Sequence, residues 1–106
     1  MKISVVKIEV LDDCFKDTTL FDFIFSKALQ DDFINSLSSL GEFEYYTEFP
    51  KPFYKVFRNG SFMLKGIKNS PNMRVSLFPE NKVESLNELI AFFHIDNSLM
   101  PILKKE

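Results

Sequence analysis

The chain has 106 residues, of which 45% are hydrophobic and 26% are charged, and its formal net charge is −2. This length fits one domain around one apolar core, and the composition excludes a disordered chain. The single cysteine, Cys14, excludes an intramolecular disulfide. Together with the single histidine, His94, it provides too few ligands for a structural zinc site. We therefore expect one domain over residues 1–106, with no metal and no cofactor.

Nucleotide-binding and membrane-spanning classes are disfavoured by the same sequence. Only three glycines occur, and neither a GxGxxG nor a GxxxxGK(S/T) pattern is present. No apolar run approaches the roughly 20 residues of a membrane span. The first residues carry Lys7 and Glu9 within their apolar stretch, which is unlike a signal peptide. We expect a cytoplasmic protein with no membrane contact.

The first predicted element is a strand over residues 2–10. Val6, Ile8 and Val10 alternate there with charged side chains, and alternation is the pattern of a strand with one buried face. A polar connection over residues 11–19 follows.

Two helical segments are predicted next. The first begins at Leu20 behind Thr18 or Thr19 as its N-cap, and it is apolar enough to be buried. The second spans residues 27–40 and repeats apolar side chains every three or four positions. These side chains are Leu29, Phe33, Leu37 and Leu40. Gly41 stands where a left-handed C-terminal cap is expected.

A period of two begins after this glycine and predicts an antiparallel strand over residues 42–49. Pro50 and Pro52 interrupt it, because proline has no N–H to donate to a strand ladder. The aromatic residues that we expect in the core here are Phe43, Tyr45, Phe49, Phe53 and Phe57.

The segment Arg58-Asn59-Gly60-Ser61 predicts a hairpin with a two-residue loop of type I′. With Arg58 opposite Ser61, the two faces of the hairpin follow. One face carries Phe53, Lys55, Phe57, Phe62 and Leu64, and the other carries Tyr54, Val56, Met63 and Ile67. Both faces are therefore expected to be largely apolar.

A further strand is predicted at residues 72–78, followed by a helix that begins with a capping box of Ser85 and Glu88. The apolar face of this helix is Leu86, Leu89, Ile90 and Phe93. The element order is then β-α-β-β-β-β-α. This order predicts an α+β fold, a single two-layer domain with a five-stranded antiparallel sheet and helices packed on one face.

Charge is distributed unevenly along the chain. Residues 49–79 contain no acid and six basic residues: Lys51, Lys55, Arg58, Lys65, Lys68 and Arg74. Basic residues interleaved with aromatics are typical of proteins that bind anionic ligands or single-stranded nucleic acid, and Tyr54 would then stack on a base. Alternatively, Glu42, Glu44 and Glu48 neutralise these cations within the sheet, and the pI of 5.4 disfavours a long polyanion.

The surplus of apolar side chains requires a cover for the second face of the hairpin. The cover is either the C-terminal tail, whose apolar residues are Leu99, Met100, Ile102 and Leu103, or another chain. Our leading hypothesis is a non-catalytic interaction or accessory module that forms a homodimer or binds a protein partner through its sheet. Tyr46 and Tyr54 are the aromatic positions expected nearest to a partner. Nucleic acid is a possible partner that the acidic balance disfavours.

An enzyme is the third hypothesis, with Cys14 and His94 as its nucleophilic pair. The preceding carboxylates, Asp12 and Asp13, disfavour the thiolate that such a nucleophile needs. His94 follows the last helix, where an imidazole can cap carbonyl groups. We therefore assign no catalytic residue.

Overall fold

The protein is described here from a computed structural model that covers residues 3–13, 18–96 and 98. Six strands and two α-helices make up the regular structure of these residues. The strands are β1 Val5–Asp13, β2 Thr19–Phe25, β3 Glu42–Tyr46, β4 Phe53–Arg58, β5 Phe62–Ile67 and β6 Asn72–Leu77. The helices are α1 Asp31–Ser36 and α2 Lys82–Phe93, each adjoined by a 3₁₀ turn, at Leu37–Leu40 and Pro79–Asn81.

The strands form one antiparallel sheet in the order β1-β2-β6-β5-β4-β3. The prediction of an α+β fold with an antiparallel sheet is confirmed. The predicted count of five strands is wrong, because the described residues form six. No helix among them has both the length and the apolarity to cross a membrane.

The additional strand is β2, where a buried helical segment beginning at Leu20 was expected. Burial alternates along it, with Phe21, Phe23 and Phe25 inside and the residues between them partly exposed. Aromatic and β-branched side chains favour a strand. The partner that completes it is remote in sequence, since Thr19 pairs with Leu77 of β6. A local pattern does not contain that contact.

The predicted helix over residues 27–40 is much shorter in the structure. Leu29 is held in an extended segment by two backbone hydrogen bonds to the loop after β5, from its own N–H to Ser70 and from the Asn69 N–H to its carbonyl. The helix therefore begins only after Gln30, whose backbone is extended. Gly41 is also extended, with φ 168°, so the predicted left-handed cap is wrong. A Cβ there would lie 2.6 Å from the Phe57 carbonyl oxygen, which explains the glycine.

The β4–β5 hairpin differs from the prediction by one residue in register. Arg58 pairs with Phe62, and the loop is Asn59–Ser61. Type I′ requires positive φ at both central residues, but only Gly60 has it, with φ +74°. Since a slip of one residue moves a strand's side chains to the opposite face, Phe62 and Leu64 now lie with Tyr54 and Val56.

The helix α2 begins at Lys82, three residues before the predicted start. Ser85 is buried within the helix, and its hydroxyl finds no hydrogen-bond partner in the part of the chain that the structure describes, so the predicted capping box is wrong. The predicted apolar face is correct, because Leu86, Leu89 and Phe93 are buried. These residues join the Phe-rich core, where the Phe93 ring lies 5.5 Å from that of Phe25.

Tyr54 and Gly66 are cross-strand neighbours at the centre of the sheet. The Tyr54 side chain is fully buried and crosses the space that a residue-66 side chain would need. A Cβ on Gly66 would lie 2.1 Å from the Tyr54 hydroxyl oxygen. That hydroxyl has no hydrogen-bond partner among the described residues, and burial raises the pKa of Tyr54.

Replacing Gly66 with Ala tests this contact. We expect Gly66→Ala to lower the free energy of unfolding by about 1–3 kcal/mol, because the new methyl group overlaps the Tyr54 ring. In a Tyr54→Val background, the same change should instead stabilise by about 0.5 kcal/mol, since alanine suits a strand better than glycine. Urea denaturation of the four proteins measures both values. An equal loss in both backgrounds would contradict the proposed overlap.

Candidate functional site: the open face of the sheet

One face of the sheet carries the core, and the other, called here the open face, carries side chains that are exposed or partly exposed. A single row of charged residues crosses this face from one edge strand to the other. The strand registers align its members in the order Glu9, Asp22, Arg74, Lys65, Lys55 and Glu44. We call this the charge row. Its three cations are adjacent, and acids lie on both sides of them.

The ends of the cationic part are neutralised within the row. Arg74 Nε lies 2.9 Å from Asp22 Oδ1, and Lys55 Nζ lies 3.6 Å from Glu44 Oε1. Lys65 lies between Arg74 and Lys55, and it has no ion-pair partner among the residues described. Like charges directly opposite each other in a sheet are destabilising. The centre of the charge row is therefore an electrostatic conflict.

An aromatic cluster lies beside the charge row near the β3 edge, and we call it the aromatic patch. It consists of Tyr46, Phe49, Phe53 and Ile67, whose exposed fractions run from 36% to 53%. The Tyr46 and Phe53 rings stack with centroids 4.8 Å apart, and Phe49 lies 5.4 Å from Phe53. The Tyr46 hydroxyl donates to Glu44 at 2.7 Å, which raises the pKa of Tyr46.

The patch contradicts the expectation that Phe49 and Phe53 belong to the core. Phe49 lies beyond β3, which ends at Tyr46, so the alternation no longer determines its side. Phe53 faces outward because its neighbour Tyr54 faces inward. The sequence does not distinguish Phe53 from Tyr54, since either aromatic side chain fits either face of the sheet.

The six predicted basic residues divide into three groups. Lys55, Lys65 and Arg74 share the charge row, whereas Lys51 is exposed in the segment between β3 and β4. The other two hold helices to the sheet. Arg58 pairs with Glu88 of α2, and Lys68 Nζ lies 3.3 Å from an Asp31 oxygen of α1.

The predicted tyrosines are separated as well. Tyr46 is exposed in the aromatic patch, but Tyr54 is buried, so its ring is not available for stacking on a ligand. The alternative to an anion site is that Glu42, Glu44 and Glu48 neutralise the six cations within the sheet. Of these three acids, only Glu44 forms an ion pair with one of the six cations in the described structure. The other ion pairs of those cations use acids from elsewhere in the chain.

A shallow groove of about 520 Å³ lies over the cationic part of the charge row. Its cations are Lys55, Lys65 and Arg74, and its apolar side chains are Phe53, Met63 and Ile67. Met63 precedes Lys65 by two residues on β5, and Phe53 precedes Lys55 by two residues on β4. Because β4 and β5 are antiparallel, Met63 and Phe53 lie on opposite sides of the row. The groove therefore combines positive charge at its centre with apolar walls.

Of the two possible catalytic residues, the structure describes one. His94 is exposed in a left-handed C-cap position after α2, and Cys14 lies outside the described residues. No group of three or more His, Cys, Asp or Glu among the described residues could hold a metal ion. No family model, curated protein or solved structure matches this chain.

A polar network fixes α1 on the sheet near this site. The Tyr45 hydroxyl donates to Asp31 at 2.5 Å, and Lys68 is close to the same carboxylate. The hydrogen bond from Tyr45, followed by that from Lys68, lowers the pKa of Asp31. Burial and the bond to Asp31 raise the pKa of Tyr45 to about 12.

These shifts predict how stability depends on pH. Because the pKa of Asp31 is lowered in the folded state, its contribution is present above the ordinary value of 3.8 and is lost as the pH falls further. The contribution of Tyr45 is complete below pH 10 and is lost as the pH rises towards 12.

Tyr45→Phe should raise the pKa of Asp31, which carboxyl NMR titration measures. Tyr46→Phe is the control, and an equal effect on Asp31 would contradict the assignment.

The conflict at Lys65 predicts that its removal stabilises the protein. We expect Lys65→Gln to raise the free energy of unfolding by about 0.2–1 kcal/mol at low salt, because one of three adjacent like charges is removed. The gain should shrink at high salt, where charges are screened. Lys51→Gln, an exposed lysine outside the row, is the matched control for urea denaturation. A destabilised Lys65→Gln protein, or equal effects of the two changes, would contradict the conflict.

Proposed function

We propose that this domain is a non-catalytic interaction module that self-associates through the aromatic patch on its open face. The observation that carries the proposal is the patch itself, four large apolar side chains in one contiguous surface. Contiguous exposed apolar surface in a globular protein usually marks an interaction site. The proposal takes the domain as two-layered, with helices over the core face only, and the cytoplasm as its setting.

The patch differs from the exposed Val83 on α2. Val83 is more exposed, at 66%, but it is a single branched side chain. Scattered apolar residues of this kind are normal on protein surfaces. The rings of Tyr46, Phe49 and Phe53 contact one another, so they present a pre-ordered surface to a partner.

Symmetry restricts how two copies can pair. A two-fold interface places the same surface of both copies together. An axis along the charge row would place each charge against its own copy, and the like charges would repel. An axis parallel to the row but running through the aromatic patch instead brings apolar side chains together and places the two charge rows on opposite sides of it. This arrangement supports the patch as the centre of the interface.

Sedimentation velocity over a concentration series tests self-association. Four side chains make a small interface, so we expect a weak, concentration-dependent dimer. Phe49→Ser should weaken it about tenfold, because Phe49 is the most exposed member of the patch and lies outside the strands. Val83→Ser is the matched control and should change nothing. A wild-type monomer at concentrations near ~1 mM, or equal effects of both changes, would reject the proposal.

A second candidate function is the binding of an anionic ligand or single-stranded nucleic acid by the region of residues 51–74. The three adjacent cations of the charge row favour it. The outward-facing acids of the same row limit the kind of anion that can fit. A Cys14–His94 enzyme has no comparable observation in its favour.

A further inference from the structure

We infer that the groove over Lys65 binds one anionic group carried on an apolar or aromatic body, such as an aryl phosphate. This inference rests on the second candidate function and specifies its ligand class. The groove shares Phe53 and Ile67 with the aromatic patch, so a bound ligand and a second copy of the chain would compete for these two side chains.

Lys65 is an unpaired cation, among the described residues, between two other cations of the charge row. Lys65 has cations on both neighbouring strands, with Arg74 on one side and Lys55 on the other. Each of these neighbours has an acid beyond it, whereas Lys65 has no ion-pair partner among the residues described. An anionic group above Lys65 removes the conflict and interacts with all three cations. Positions that break local rules in natural proteins are concentrated at functional sites.

The cationic surface is narrow. Three neighbouring strands span only about 10 Å from the first to the third, because adjacent strands lie about 4.8 Å apart. Beyond them the row continues with Asp22 and Glu9 on one side and Glu44 on the other. A polyanion crossing the strands would meet carboxylates at both ends and be repelled. One anionic group fits this space.

Apolar side chains bound the groove on both sides of the charge row. Met63 lies on one side of the charge row, and Phe53 and Ile67 lie on the other. A bare inorganic anion leaves these side chains uncovered. An apolar or aromatic body attached to the anion covers them and adds hydrophobic contact.

The proposed binding experiment uses naphthyl phosphate as the probe, followed by amide chemical shifts and ligand fluorescence. Inorganic phosphate and naphthol are its two separated halves, and a short oligothymidylate represents nucleic acid. We expect naphthyl phosphate to bind more tightly than any of the three, with weaker binding at high salt. The largest shifts should occur in β4, β5 and β6 around Lys65.

Two variants locate the site. Lys65→Gln should weaken naphthyl phosphate binding about tenfold or more, since a charged hydrogen bond is lost. Lys51→Gln should leave it within about twofold, because a solvated exposed charge contributes little. Unfolding curves for both proteins show whether they are folded, and Lys65→Gln is expected to be the more stable of the two.

The outcomes are separable. If no anion binds at low salt, the second candidate function and this inference both fail. If oligothymidylate binds more tightly than naphthyl phosphate, anion binding stands but the proposed ligand class is wrong. If naphthol binds as tightly as naphthyl phosphate, or both lysine variants bind equally, the groove is not an anion site and the inference is overturned.

Discussion

The register of the β4–β5 hairpin is the constraint on which the rest of the structure depends. Tyr54 lies across Gly66, and only a residue without a Cβ leaves room for its ring. In this register Tyr54, Val56, Phe62 and Leu64 enter the core together. The opposite face then receives the cations and the exposed aromatics. One steric contact in the core therefore determines the composition of the open face.

The open face combines two features with different physical consequences. The aromatic patch is stable in water but leaves apolar surface exposed, which favours association. The charge row places Lys65 between two other cations, which costs free energy unless an anion is near. Under the proposed self-association, a second copy packs on the patch, and the like charges of the row disfavour packing there. An anion over Lys65 and a second copy at Phe49 are two separate hypotheses, and both involve Phe53 and Ile67.

The helices are attached to the sheet by polar contacts as well as by the core. Asp31 accepts a hydrogen bond from Tyr45 and pairs with Lys68, and Arg58 pairs with Glu88 while its guanidinium lies 5.6 Å from the Phe62 ring. These contacts remove two basic residues from the set available to a ligand. Clustering in sequence overstated the basic surface, because cations that are close in the chain have different partners in the fold.

The sequence by itself determined the features that depend on local chemistry. Alternation predicted strands at β3, β5 and β6, although β3 ends three residues early and the register of β5 differs by one residue. Three- and four-residue spacing predicted the buried face of α2, and Gly60 marked the hairpin loop. Only the tertiary structure decided that residues 19–25 form a strand between β1 and β6, since β6 lies some fifty residues later in the chain. It also decided which aromatics are buried, because Phe53 and Tyr54 have similar local preferences and only Gly66 distinguishes them. The charge row depends on strand order and register, so it has no counterpart in the linear sequence.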